Sequence, residues 1–193
     1  MIKAIIFDCF GVIIGDALEV LCRDLRERDP AAADSVRAIV QASNRGITDP
    51  AQSSRQVAEL IGLSYQEYRQ KLNEGEVRDE ALLAYIADLR KTYKTALLSN
   101  IGAGSLARRF RPGELEAYFD SVVASGEIGH AKPEARAYEI TAERLGVGVD
   151  ECVFTDDREP YCEGAARVGM QTILYQDFPQ FRTDLERLLA DSQ

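Results

Sequence analysis

Three short apolar runs in this chain end in polar side chains that could do chemistry. Ile5-Ile6-Phe7 runs into Asp8, Ala96-Leu97-Leu98 into Ser99 and Asn100, and Val153-Phe154-Thr155 into Asp156 and Asp157. Strands often stop at Asp, Asn or Ser because these residues favour turns, so a single ending says little. Three are harder to attribute to turns. If the runs are parallel strands, all three endings leave the same sheet edge, where ligands of such folds bind. Carboxylates gathered there raise one another's pKa and resist joint ionisation. A bound divalent cation resolves that conflict. Oxygen donors without a Cys/His cluster favour magnesium over zinc, and magnesium keeps waters and binds substrate phosphate. Lys132, just ahead of Pro133 and a helix, offers a further cation to a phosphoryl oxygen or to Asp8. The base-rate expectation for an isolated lysine is a solvated surface position.

Bringing these residues together requires a sheet. Apolar runs at 3–7, 95–98, 122–124, 152–155 and 172–175 read as buried strands. Between the later runs, Ala81, Leu82, Tyr85, Ile86 and Leu89 fall at helical spacing. So do Ala137, Ile140, Thr141 and Leu145, with Gly146 as the stop. The alternation predicts an α/β fold: a Rossmann-like parallel sheet with helices on both faces.

Residues 16–78 break the rhythm and predict an inserted helical subdomain, leaving 1–15 and 79–193 as the α/β core. Leu18, Leu21 and Leu25 line a first helix, Val36, Ile39 and Val40 a second, and Val57, Leu60 and Ile61 a third. Gly46 and Thr48-Asp49-Pro50 supply a stop and a start between the second and third. Ser64 with Glu67 has the form of a capping box, opening a fourth helix that buries Tyr68 and Leu72. Tyr65, Tyr68 and Tyr85 read as packing aromatics. No internal repeat or low-complexity segment is present.

Composition narrows the partners. The chain has 193 residues, 46% of them hydrophobic, enough for one domain with a core and a small appendage. With 23 basic and 32 acidic residues the net charge is -9, which argues against general binding to nucleic acid or an anionic membrane. An anionic substrate therefore needs local help. The apolar segment 2–14 is too short to span a bilayer and contains Asp8, so the expected location is the cytoplasm. Cys9, Cys22, Cys152 and Cys162 lack the spacing of a zinc site or a disulfide framework and read as reduced thiols, Cys9 as a small side chain packed behind a strand end. Monomer and homodimer are equally compatible with the pattern.

The motifs Phe7-Asp8-Cys9-Phe10-Gly11-Val12, Leu98-Ser99-Asn100, AKPEARAY from Ala131 and FTDDREPYCEGAARVGM from Phe154 resemble, in order, the four motifs of the haloacid dehalogenase superfamily. The closest likeness is to bacterial sugar-phosphate phosphatases and the amino-terminal phosphatase domain of soluble epoxide hydrolases. These carry a small helical cap where the 16–78 insertion lies. The resemblance implies that Asp8 attacks phosphorus and forms an aspartyl-phosphate that water hydrolyses. It implies magnesium held by Asp8, the Phe10 carbonyl and Asp157, with Asp156 a ligand or a partner through water. Ser99 and the Asn100 backbone NH would hydrogen-bond the transferring group, Lys132 would neutralise it, and Gly11 would admit its close approach. The implied substrate is a small phosphorylated metabolite.

Phe10 departs from the pattern, because phosphatases of this superfamily mostly carry there the aspartate that serves as general acid and base. Losing that function typically costs about 100- to 10,000-fold. Dehalogenases of the superfamily carry tyrosine at this position, so a second hypothesis is attack of Asp8 on a 2-haloacid carbon, with Arg108, Arg109 or Arg111 binding the carboxylate. Arginines so placed are, however, ordinarily solvated. A third hypothesis is a catalytically silent phosphate binder. His130, two residues before Lys132, is a candidate substitute acid, although a lone loop histidine is more often a surface residue.

Overall fold

Successive side chains of a strand leave opposite faces of a sheet, and this alternation decides the layering. The computed structural model describes residues 1–191. Its five strands are β1 (Ala4–Phe7), β2 (Lys94–Ser99), β3 (Ser121–Ala124), β4 (Cys152–Asp156) and β5 (Gln171–Leu174). They form one parallel sheet in the order β3-β2-β1-β4-β5. Ile5, Phe7, Leu97 and Val153 point into one apolar cluster, whereas Ala4, Ile6, Ala96, Leu98, Cys152 and Phe154 point into another. Strands buried on both faces are apolar throughout, which is why their sequences read as continuous runs.

Ten α-helices and two short 3-10 turns, Leu106–Arg108 and Val149–Glu151, accompany the strands among the described residues. Between β1 and β2 come α1 (Ala17–Arg28), α2 (Pro30–Asn44), α3 (Pro50–Leu60), α4 (Tyr65–Gly75) and α5 (Glu80–Leu89). After β2 follow α6 (Glu114–Tyr118), α7 (Ser125–Ile128), α8 (Ala135–Leu145), α9 (Glu159–Arg167) and α10 (Phe178–Asp191). Leu82, Leu83 and Ile86 of α5 and Phe181 and Leu185 of α10 cover the Phe7 face, while Ala137, Tyr138 and Ala142 of α8 and Ala165 of α9 cover the Ile6 face. The expected α/β sandwich is present, with strand ends within a residue or two of those read from the sequence.

Helices α1 to α4 have a separate small core around Cys22, Val36, Val57, Ala58, Tyr68 and Leu72. Side chains cap each of them. Asp16, Asp29 and Asp49 accept the amides of Glu19, Ala32 and Gln52, Pro30 and Pro50 begin α2 and α3, and Ser64 with Glu67 closes a reciprocal capping box. One helix face differs from expectation. Leu60 is exposed, whereas Val57 is buried as expected and Ala58 joins it, because α3 meets α2 and α4 on the side set by those two. The segment joins the sheet through two paired crossings: Gly15 NH donates to Val77 O at 2.9 Å and Asp79 NH to Ile13 O at 2.9 Å.

Strand register aligns the polar endings. Phe7 stands level with Leu97 and with Thr155, so Asp8 emerges beside Asp156 and one residue below Ser99. The order runs outward to β3 on one side of β1 and resumes with β4 on the other. Such a reversal opens a crevice at the carboxyl ends of the strands.

Candidate active site

Lys132 occupies the centre of the crevice. Its ammonium lies 2.7 Å from Asp8 Oδ1 and 2.6 Å from Asp156 Oδ2, and its side chain is 1% exposed. The surface position that base rates favour for a lone lysine is therefore wrong for this one, because the fold surrounds it with two buried carboxylates. The rings of Phe154 and Tyr161 flank it at 5.3 and 5.1 Å. Asn100 fixes its backbone from the end of β2: Asn100 Nδ2 donates to Lys132 O at 2.9 Å, and Lys132 NH donates to Asn100 Oδ1 at 2.8 Å. The Asn100 side chain thus positions Lys132, a use beyond the backbone contact expected for this residue.

Burial, acting first, would lower the Lys132 pKa, but Asp8 and Asp156 together outweigh it and hold the ammonium charged. Burial pushes the Asp8 carboxyl up, Lys132 pulls it back, and Asp156 adds to the rise. Asp156 itself is fully buried. Its second oxygen accepts the Arg158 amide at 2.9 Å. Lys132, paired with both, relieves the like-charge conflict foreseen between Asp8 and Asp156.

Asp157 is different, since it is open to solvent on one side. Partial desolvation in the crevice, then the charges of Asp156 and Asp16, push it up to about 6. Its carboxylate lies against Gly11. A Cβ on Gly11, whose φ is +88°, would collide with that carboxylate, so this glycine makes room for Asp157. One oxygen each of Asp8, Asp156 and Asp157 lie within 4.8 Å of one another. Among the described residues no turn or loop backbone amide donates to the Phe10 carbonyl. An oxygen-only donor set of this kind suits a hard dication such as magnesium. At the end of β2, Ser99 Oγ is buried without a hydrogen-bond partner, a cost normally tolerated where a ligand supplies one.

A cavity of about 480 Å³ opens from Asp8, Ser99, Asn100 and Lys132 toward α1, α2 and α4. Phe10 lines it beneath Arg109, whose guanidinium lies 4.9 Å from the ring centre and pairs with Glu76 at 2.6 Å. Arg109 is nearly buried and so departs from the solvated expectation; Arg111 is exposed, and Arg108 lines the cavity while remaining exposed. Opposite, Glu19 of α1 accepts from Arg37 at 2.7 Å and from Arg158 at 3.3 Å. Asp16, the cap of α1, also lines the cavity. The sequence reading missed Glu19, Arg37, Glu76 and Arg158 as site residues, since nothing local distinguishes them from other charged helix positions. His130 lies outside the cavity lining, half exposed and 3.2 Å from Glu134. Tyr68, on the buried face of α4, reaches the cavity wall, whereas Tyr85 packs on Phe178 and Phe181 of α10. All four cysteines are free and buried. No helix among the described residues is long and apolar enough to cross a membrane.

Known proteins resemble this chain to differing extents in sequence and fold. Phosphatase MT3486 of Mycobacterium tuberculosis is 36% identical over 102 residues, 52% of this chain and 47% of that protein, so the chain spans about half the length of this relative. The D-ribitol-5-phosphate phosphatase of Bacteroides thetaiotaomicron is 26% identical over 207 residues, covering 98% of this chain and 99% of its own. In fold, the wild-type HAD family enzyme bt-2542 of Bacteroides thetaiotaomicron, solved in complex with magnesium and inorganic phosphate, superposes with a TM-score of 0.73 at 24% identity, over 91% of this chain and 95% of that one. Residues 2–169, from the strand that carries Asp8 to the turn after α9, match the haloacid dehalogenase-like hydrolase family, and the chain belongs to it.

Proposed function

We propose that this hydrolase is a magnesium-dependent phosphatase acting on a small phosphorylated metabolite, a sugar phosphate being the first candidate, through an aspartyl-phosphate intermediate. The observation that carries the reading is the Lys132 ammonium fixed between Asp8 and Asp156, with the open Asp157 carboxylate alongside. The named activities of the relatives support it.

In this reading Asp8 attacks phosphorus, the alkoxide leaves, and water then cleaves the acyl phosphate to restore Asp8. Ser99 Oγ, which has no partner of its own, donates to a phosphoryl oxygen, and Lys132 offsets the charge developing there. Asn100 and Asp156 act by holding Lys132 in place. Magnesium would be held by the carboxylates of Asp8 and Asp157 and the Phe10 carbonyl, with Asp156 behind them. When bound, it supplies charge neutralisation at the phosphoryl oxygens. Residues 16–78 serve as a cap over the core formed by 1–15 and 79–193. Free, buried thiols fit a cytoplasmic setting.

The test is hydrolysis of p-nitrophenyl phosphate with and without magnesium, beside Asp8→Asn. Turnover should require the metal and fall at least about 10⁴-fold in the variant. Metal-independent turnover, or an active variant, would overturn the reading. One observation favours a second reading, 2-haloacid dehalogenation: the aromatic wall of Phe10 under the Arg109 guanidinium. Halide release from 2-chloropropionate in the presence of chelator, with no phosphatase activity, would select it.

A further inference from the structure

Six arginines line the cavity in addition to Lys132, against three carboxylates besides Asp8, in a chain whose net charge is -9. Such a local excess of cations in an acidic protein points to an anionic ligand. Part of the excess is already matched. Arg109 is held by Glu76, and Arg45 by Glu134 at 2.6 Å.

Arg37 and Arg158 are not matched in this way. They approach from opposite sides, Arg37 from α2 and Arg158 from the turn after β4, and share the single carboxylate of Glu19 at 2.7 and 3.3 Å. Asp16 and Asp157 also act on Arg158 through space, but Glu19 is the carboxylate paired directly with both guanidinium groups. Arg37 Nε is in addition buried without any acceptor, and a buried donor left unmatched is costly unless a ligand completes it. Arg158 is oriented by the Tyr161 ring, 5.3 Å from its guanidinium carbon. The pair is thus a preset guanidinium fork, distinct from the Lys132 centre but in the same metabolite-sized space. Guanidinium forks match carboxylates and phosphates through paired, charge-assisted hydrogen bonds.

We propose that Arg37 and Arg158 form a second anion site that selects phosphomonoesters bearing another acidic group, a carboxylate or a second phosphate, remote from the bond that is cleaved. The inference rests on the phosphatase reading and specifies its substrate class. Glu19 occupies the fork in the absence of substrate and sets its selectivity.

The experiment compares kcat/KM within matched pairs in the presence of magnesium, with p-nitrophenyl phosphate as a separate measure of turnover. The pair 3-phosphoglycerate and glycerol 3-phosphate isolates a carboxylate; fructose 1,6-bisphosphate and fructose 6-phosphate isolate a second phosphate. The unaltered protein should prefer the more acidic member of at least one pair by roughly tenfold or more, mainly through KM, and the pair that shows it identifies the group. Arg37→Gln and Arg158→Gln should move that ratio toward one, and Glu19→Gln should raise it. Ratios are compared within each variant, so a general loss of rate cannot imitate the effect. If an arginine variant fails to fold, Glu19→Gln decides: a higher ratio supports the site and an unchanged one refutes it. Equal rates within both pairs, or a preference untouched by every variant, overturn the inference. With Asp8-dependent turnover of p-nitrophenyl phosphate intact, those outcomes leave the phosphatase reading standing. Absence of turnover on every substrate removes both.

Discussion

Two walls of one cavity are built on different principles. At the strand ends, Lys132, Asp8 and Asp156 are buried, mutually paired and held by neighbours in the sheet, whose core side chains are largely inaccessible. On the helical wall, Arg37 and Glu19 stay a third or more exposed, and Glu19 is shared with the similarly exposed Arg158 from the turn after β4. The underlying cores differ in the same sense, with two large clusters on the sheet and a small one among α1 to α4. Charges in a dry setting interact strongly and cannot be rearranged cheaply, whereas exposed pairs are screened and individually weak. On the proposed function, the contrast teaches that the reacting groups sit where position is rigid, and that selectivity would sit where side chains can change at little cost to the fold.

The sharpest way to break this comparison is to remove the buried cation. Lys132→Met should destabilise the protein by about 3–5 kcal/mol, because two buried carboxylates lose their shared partner. For a chain of this size that corresponds to a melting temperature lower by roughly 10 °C in thermal denaturation with chelator present. A shift of about 2 °C or less would mean that the strand-end charges are no more tightly coupled than surface ones.

A smaller effect concerns Asp157, which belongs to the rigid wall but faces solvent. Its folded pKa of about 6 lies above the ordinary 3.8, so the folded, metal-free chain holds this proton more tightly than the unfolded chain does. That contribution to stability is complete below about pH 4 and is lost as pH rises through about 6. Magnesium competes for the same oxygens. Added magnesium should therefore raise the melting temperature near pH 7.5 and much less near pH 5. An equal rise at both, read by differential scanning fluorimetry, would place the ion elsewhere.

The smallest effect is expected at the outer edge of the helical wall. Arg45 pairs with Glu134 at 2.6 Å, yet both side chains are substantially exposed. Arg45→Ala should cost under about 1 kcal/mol, within about 3 °C in melting temperature. A larger loss would make this pair a structural latch between helices and sheet and would blur the distinction between the walls.

Much of the rigid wall was legible in the chain. Apolar runs that end in Asp8, Ser99 and Asp156 survive as a one-dimensional signal because a strand buried on both faces has no polar position until it leaves the sheet. Helix starts at Asp49-Pro50 and at Ser64 with Glu67 were equally readable, since capping is settled within four residues. Lys132 was recognised as a candidate, but its burial was not foreseeable from an isolated basic residue. The helical wall was almost silent. Glu19 and Arg158 stand 139 residues apart in sequence, and Arg109 and Glu76 stand 33 apart. Neither pair leaves a periodic or compositional trace, and the turn of α3 that exposes Leu60 depends on how its neighbours pack.

Residue order alone therefore determined the layered α/β architecture, the inserted helices and the set of carboxylates at the sheet edge, because alternation, capping and strand-end polarity are local. Only the folded chain decided that a lysine is buried between Asp8 and Asp156, that the Gly11 backbone lies against the Asp157 carboxylate, and that arginines from separate segments meet at Glu19. Those outcomes follow from through-space electrostatics and packing, which depend on distances that linear spacing does not encode.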